Sequence, residues 1–344
     1  MYGVNLENQI CLNEHCPDYQ KKNRGHITKK GFNAKGKQMF KCKTCGMRFP
    51  ETKGTIFYKR HLTEEQIILV CKLLVEKNGI RSIERIMDIH RDTVSSIIED
   101  LAIHARDVTD LLITDVGLTQ IEVDEMWSFG KKKQKNVKQG DDRSDEHGDC
   151  WIYTAIKSDT KLHLAHSVGK RVQEVANELI ATVKKRGKLP TQDNKASFLS
   201  DGNDQYTTAL LENLDVDTIN YGQLIKTREN GRVVCKTKRI IFGVLDEEDI
   251  ETVVVERYNL TLRHGISRFV RKTLCFSKCK NMLNDHLDFF QCYNNFIRTN
   301  SALTIKTPKG IKNIERTSCM AEGITEHPWT WKEFLMFKCI GHEI

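Results

Sequence analysis

Long apolar runs are missing from this 344-residue chain. Nowhere do about 18 apolar residues follow one another, and mean hydropathy is −0.49, so no membrane span fits. The stretch from Met1 to Cys11 has no basic cluster ahead of an apolar segment, which argues against a secretory signal. No internal repeat is visible. An excess of acid is missing too: Lys and Arg number 54 against 46 Asp and Glu, giving +8 at pH 7. Residues 1–60 hold 13 Lys/Arg against 4 Asp/Glu, so the whole of the excess sits there and the rest of the chain is nearly balanced; a polyanion partner would be met there. What is abundant is cysteine, with 12. A disulfide scaffold would be shorter and would follow a signal peptide, so reduced thiols of a cytosolic protein, some holding metal, are expected. The lone Asn259-Leu260-Thr261 triplet is then chance. With 39% hydrophobic and 29% charged residues, a folded core divided among two or three domains is expected.

Cys11-x4-Cys16 followed by Cys42-x2-Cys45 supplies four soft ligands from two tight turns. That spacing predicts one structural Zn²⁺ in a zinc ribbon, with Gly46 easing the second turn and Phe40 and Phe49 on short flanking strands. A redox Cys-x-x-Cys would need a surrounding βαβ pattern, and none is present. The other eight cysteines show no second paired set and read as small hydrophobes, with Cys275 and Cys279 on a possible helix. Thr63 and Gln66 form a capping box ahead of Ile67, Ile68, Cys71, Leu74 and Val75 at helical spacing, and Asn78-Gly79 ends that helix. A short helix through Ile83, Ile86 and Met87 follows, then a third capped by Asp92 with Val94, Ile97, Ile98, Leu101 and Ala105 on one face. Three helices with short turns fit a helix-turn-helix, placing Arg91, Thr93 and Ser96 where base edges would be read. The alternative is a plain three-helix packing unit.

From about 118 to 300, strand-like and helical runs alternate, as in an α/β core. Ile121–Trp127 reads as a strand carrying Asp124 and Glu125. Alternation faces these two acids in opposite directions, so only one can aim at a given site. Strands at Trp151–Ile156 and Leu162–Val168 follow, then a helix, then Ser197–Ser200 ending at Asp201-Gly202. Thr252–Val255 leads into Glu256 and a basic helix. Between 256 and 280 stand seven cations, Arg257, Arg263, Arg268, Arg271, Lys272, Lys278 and Lys280, against the single acid Glu256. Acids at two strand ends and a helix start, amid cations suited to phosphates, point to a two-metal phosphodiester site. Arg263, seven residues beyond Glu256, shares its helix face. Lys131–Gly148, lysine-rich and then acidic, reads as a solvated loop.

Val123-Asp124-Glu125-Met126-Trp127, Leu199-Ser200-Asp201-Gly202 and the block Glu256–Arg263 with Arg271–Lys278 resemble the insertion-sequence-one transposases. The resemblance implies a ribonuclease-H-like catalytic core over 118–300, behind a zinc ribbon at 1–60 and a helix-turn-helix at 61–117. A basic insertion at about 214–251 (Arg228, Arg232, Lys236, Lys238, Arg239) and a 301–344 tail complete the chain. It implies a DDE triad of Asp124, Asp201 and Glu256 holding two Mg²⁺ (or Mn²⁺). The implied activity is cleavage of element ends and joining of the 3′ hydroxyl to target DNA. Arg257, Arg263, Arg268, Arg271 and Lys272 would contact that DNA. The implied partners are double-stranded terminal inverted repeats, target DNA and a second copy of the chain, at the cytoplasmic nucleoid. Asn203 stands where many relatives have Trp, and Tyr258 where Asn is usual. Two other readings remain: a DNA-binding regulator over an inert core, and a recombinase with Tyr258 as covalent nucleophile.

Overall fold

The computed structural model describes residues 6, 9–138, 146–308 and 312–339. The chain forms two compact units, residues 1–69 with 330–344, and residues 70–329. The division falls inside α1 (Glu64–Val75), away from the boundaries near 60 and 117 expected from composition.

The first unit is built on a three-stranded antiparallel sheet: β1 (Ile27–Phe32), β2 (Gln38–Cys42) and β3 (Arg48–Pro50). Asn33 shapes the β1–β2 turn, its side chain accepting from the Lys35 and Lys37 N–H groups at 3.0 and 2.9 Å. Phe40 and Phe49 pair across β2–β3 and are fully buried against Ile27 and the cysteines. The tail, for which composition offers no role, closes this unit. Thr330 and Glu333 form a capping box on a short helix of residues Trp331–Met336. Its Leu335 carbonyl accepts from Ile56 N at 3.3 Å, and buried Lys338 donates to Gln9 Oε1 at 2.9 Å. The earlier part of the tail, 301–329, belongs to the second unit, and residues 309–311 and 340–344 lie outside the described residues.

α1 starts with the expected capping box, Thr63 and Gln66 exchanging bonds of 2.9 and 3.2 Å. It is ended by Lys77 in the left-handed region (φ +62°) and by Asn78 N donating to Leu73 O at 3.1 Å, so Gly79 is not the stop residue. In the second unit, α2 (Ile80–Met87) turns through left-handed Asp88 into α3 (Arg91–Leu112). The cap of α3 is His90, whose ring accepts from Asp92 N, rather than Asp92. Val94, Ile97, Ile98, Leu101 and Ala105 are buried on one face, as their spacing requires. β4 (Val116–Gly117) then opens the mixed α/β core.

The main sheet contains β5 (Gln120–Gly130), β6 (Gly148–Lys157), β7 (Leu162–Gly169), β9 (Ala196–Ser200), β10 (Ile219–Glu229) and β11 (Arg232–Phe242). The short β8 (Gly187–Lys188) pairs only with β4. Spatial order is β11-β10-β9-β5-β6-β7, with β5, β9 and β10 mutually parallel and β6, β7 and β11 antiparallel to their neighbours. Parallel strands need crossovers, supplied by α4 (Gln173–Arg186) before β9 and α5 (Asp204–Asn213) before β10. Much of the supposed insertion is therefore the core strand β10 and its hairpin partner, joined at Asn230-Gly231, both at positive φ. The other face carries α6 (Val253–Gly265) and α7 (Lys280–Cys292), and α8 (Ser318–Ala321) follows. The basic helix expected over 256–280 stops at Gly265, where a Cβ would meet the Phe290 ring at 2.3 Å. Cys275 lies in irregular chain and Cys279 caps α7. Of the loop expected at 131–148, residues 139–145 lie outside the described residues, and Gln134–Asn136 form a 3-10 turn. Among the described residues no helix is long and apolar enough to cross a membrane.

Candidate active site

The geometry of the carboxylates follows from where β9 ends. Its last pairing with β5 is Val123↔Ser200, so beyond that point β5 continues with β6 on one side and no strand on the other. Asp124 and Glu125 stand just past this point, and Asp201 directly follows β9. One carboxylate oxygen from each of the three lies within 4.8 Å of the others. This corrects the alternation argument: on an open strand edge, side chains from both faces reach round to the same place. Glu125 is the residue that alternation alone excludes. The end of β9 relative to β5, which no periodicity reveals, is what brings it in.

Around them lies a cleft of about 1190 Å³, also lined by Glu256, Asn259, Arg171, Lys226, Arg263 and Arg271. Burial, then the neighbouring Asp201 and Glu125 carboxylates, push the Asp124 carboxyl up to about 7. Burial and Glu125 raise Asp201 to about 6. Clustered acids held this close, with raised affinity for protons, are a donor set suited to a hard divalent cation. Glu256 shares the cleft but stands outside the three-carboxylate group. It is exposed, bound to Lys226 and accepts from Thr252 Oγ1 at 2.8 Å. Burial opposes its ionisation, but Lys226 and Thr252 outweigh that and hold its pKa below the usual value.

Several residues position these acids. Asn259, one helical turn after Glu256, donates to Asp124 Oδ2 at 2.8 Å and accepts from Thr154 Oγ1 at 3.2 Å. The (i, i+3) spacing inside the Glu256–Arg263 block already carries that signal. Glu125 is held by Arg171 and by Tyr206, whose hydroxyl donates at 3.1 Å. Buried Glu122, on the same strand as Asp124, accepts from the Val254 and Val255 N–H groups at 2.8 and 2.9 Å and from Ser158 at 2.9 Å. It thereby ties the first turn of α6 to β5 and satisfies two helix-start donors. Glu122→Ala leaves these donors buried without acceptors. A loss of on the order of 3 kcal/mol in unfolding free energy is expected from urea titration; an unchanged midpoint would show that the tie is dispensable.

The expected DNA contacts divide. Arg263 and Arg271 line the cleft, although Arg263 also donates to the Phe269 and Trp127 carbonyls at 2.9 and 3.3 Å. Lys272 is exposed. Arg268 is only 8% exposed and donates to Ser277 Oγ at 2.9 Å, so it is spent inside the protein and is not an open phosphate contact. Arg257 lines a different cavity from the carboxylate cleft. Arg91 is exposed and Thr93 and Ser96 half-buried in the first turns of α3. Tyr258 is buried with its hydroxyl 2.6 Å from His163 Nδ1, and burial raises its pKa far above the usual value. It cannot serve as an accessible covalent nucleophile.

In the first unit the Sγ atoms of Cys11, Cys16, Cys42 and Cys45 all lie within 4.8 Å of one another. Cys11–Cys45 and Cys16–Cys42 are 3.6 and 3.8 Å apart. A tetrahedron with Zn–S bonds of about 2.3 Å has edges of about 3.8 Å, so the donor set fits zinc. Gly46, at φ +76°, lets Cys42 and Cys45 share one knuckle, and the Met47 N–H holds the Cys45 thiol down at about 6.

No protein-family model matches the chain. Over 157 residues, 46% of its length, the chain is 29% identical to Insertion element iso-IS1n protein InsB of Shigella dysenteriae, and the match covers 82% of that protein. The chain is thus related in sequence to an insertion-element protein.

Proposed function

We propose that this protein is a DNA transposase of the DDE type, with a ribonuclease-H-like core. The observation that carries the reading is the meeting of Asp124 and Asp201, from two adjacent parallel strands, in a cation-lined cleft that also holds Glu256. The strand order, with β5 between parallel β9 and antiparallel β6, supports the ribonuclease-H-like assignment, and the InsB similarity supports the biological setting. Two Mg²⁺ (or Mn²⁺) ions held by Asp124 and Asp201, with Glu256 completing one site, would supply an activated water and charge stabilisation at the leaving oxygen. Asn259 orients Asp124, Glu122 fixes the helix bearing Glu256, and Arg263, Arg271 and Arg228 bind phosphates flanking the cut. The released 3′ hydroxyl then attacks target DNA in place of water. Joining two ends calls for at least two copies of the chain.

The test is cleavage of a labelled element end with Mg²⁺ or Mn²⁺ beside a gel shift of the same fragment. Cleavage that persists in excess EDTA overturns the reading. Arg91, Thr93 and Ser96 are proposed to read base edges from the start of α3. Alanine at each should cost on the order of 1–3 kcal/mol of specific binding per good base contact, while random-sequence binding changes little. Equal affinity of wild type and variants for specific ends would return α2–α3 to a packing role.

A further inference from the structure

α6 presents two different faces. Glu256, Asn259 and Arg263 line the carboxylate cleft, whereas Val254, Arg257, Tyr258 and Thr261, at the intervening helical positions, line a separate cavity of about 570 Å³. Lys161, Arg257 and Arg298 converge on this cavity, and Glu315 is the one carboxylate in its lining. We propose that this second cavity binds a backbone phosphate of a nucleic acid, at a place distinct from the cutting site. The proposal rests on the DNA-processing reading above.

Three observations support it. First, two cations of the cutting cleft are engaged by its acids, Arg171 with Glu125 and Lys226 with Glu256. Arg257 and Arg298 are exposed and form no ion pair among the described residues. Both line one concave wall, and the planar forks of guanidinium groups match phosphate oxygens. Second, Arg298 directly follows a π-helical turn, Tyr293–Ile297, a rare local geometry that recurs at functional positions. The nearby Thr299 and Ser301 bring hydroxyls to the same wall. Third, the lining offers no open aromatic face on which a free nucleotide's base could stack. The single aromatic, Tyr258, is buried and bonded to His163. Arg257 and Arg298 also line a neighbouring depression of about 330 Å³, to which Phe290 and Tyr293 contribute, so both arginines border two adjacent hollows.

The test uses the full chain and a fluorescent DNA duplex, with anisotropy measured across a salt series. Arg257→Ala with Arg298→Ala should weaken binding to specific and random duplexes alike. It should also lower the slope of log K against log salt by about 0.9 for each phosphate left without its cation. Arg298→Lys, which keeps the charge but not the fork, should retain the slope and lose part of the affinity. Arg298→Gln serves where the double variant does not fold. Inorganic pyrophosphate, followed by thermal shift, distinguishes a free phosphate ligand. If the double variant loses the pyrophosphate shift but keeps wild-type DNA affinity and slope, the backbone assignment is overturned. The same fragment is assayed for cleavage by the wild type. Cleavage with unchanged binding in the double variant overturns the cavity proposal alone, whereas a wild type that neither binds nor cleaves DNA overturns the transposase reading first.

Discussion

Asp124→Asn and Asp201→Asn are each expected to lower strand cleavage by well over 100-fold while gel-shift affinity stays within a few-fold of wild type. The magnitude follows from comparison: removing a group that merely orients a metal ligand typically costs about 10–100-fold, and these two residues are proposed to be ligands themselves. Glu256→Gln should fall in the same class. Glu125→Gln should cost about 10–100-fold, because its carboxylate holds Arg171 and accepts from Tyr206 beside the two aspartates. A second readout needs no turnover. Asp124 is pushed up to about 7 and Asp201 to about 6, whereas an unfolded chain's aspartates titrate near about 3.9. The folded state therefore binds these protons more tightly. Their contribution to stability is complete below about pH 4 and is lost as pH rises through 6 to 7. At about pH 8 without divalent metal, Asp124→Asn should melt above wild type, and Mn²⁺ should stabilise wild type but not the variant. Full cleavage by either aspartate variant would sink the triad. A variant less stable than metal-free wild type would contradict the burial and repulsion of charge on which the site is argued.

What is legible in the sequence is local. The capping box at Thr63, the strands around Trp151 and Leu162 and the helix following β7 are written in short-range periodicity, and all form where that pattern puts them. The cysteine spacing likewise brings four thiols together, because two tight turns need nothing distant to form. Local pattern misleads where tertiary contacts decide. Glu125 joins the carboxylates because β9 stops opposite Val123, and the last residue of α6 is Gly265 because Phe290 from α7 occupies the space a side chain would need. Arg268 reads as one more phosphate ligand in a run of cations, yet burial directs it to Ser277. The hairpin at 219–242 reads as an addition to the core only by comparison with the insertion-sequence-one pattern, whereas its inner strand is largely buried and pairs in parallel with β9. Charge composition says which residues can meet phosphate, but only packing says which of them are left open to do so.

Removal of zinc is expected to unfold the cysteine-bearing region of the first unit, residues 9–60, and with it the order of β1–β3. The cluster formed by Ile27, Phe40, Phe49 and the cysteines has only three buried side chains that are not thiols. Even with Ile10, Ile56 and Phe57, which are also buried in this region, apolar burial of that size is small against the entropy of ordering three short strands and two knuckles. A bound metal offsets that entropy, since structural zinc contributes about 10–16 kcal/mol of apparent binding free energy at neutral pH in small finger domains. Purified full-length protein should carry about one zinc per chain, as one set of four thiolates binds a single tetrahedral ion. With a strong chelator, proteolysis should cut rapidly between β1 and β3, while fragments derived from the main sheet persist. Cys42→Ser should reproduce the cutting pattern without chelator, because serine oxygen is a poor replacement for a thiolate ligand. Tyr58→Phe, on the same unit but away from the cysteines, should remain as resistant as wild type. Full-length protein that contains no metal yet resists cutting between β1 and β3 would refute the zinc assignment. The four thiols would then be ordinary buried cysteines, held 3.6–3.8 Å apart by the fold alone.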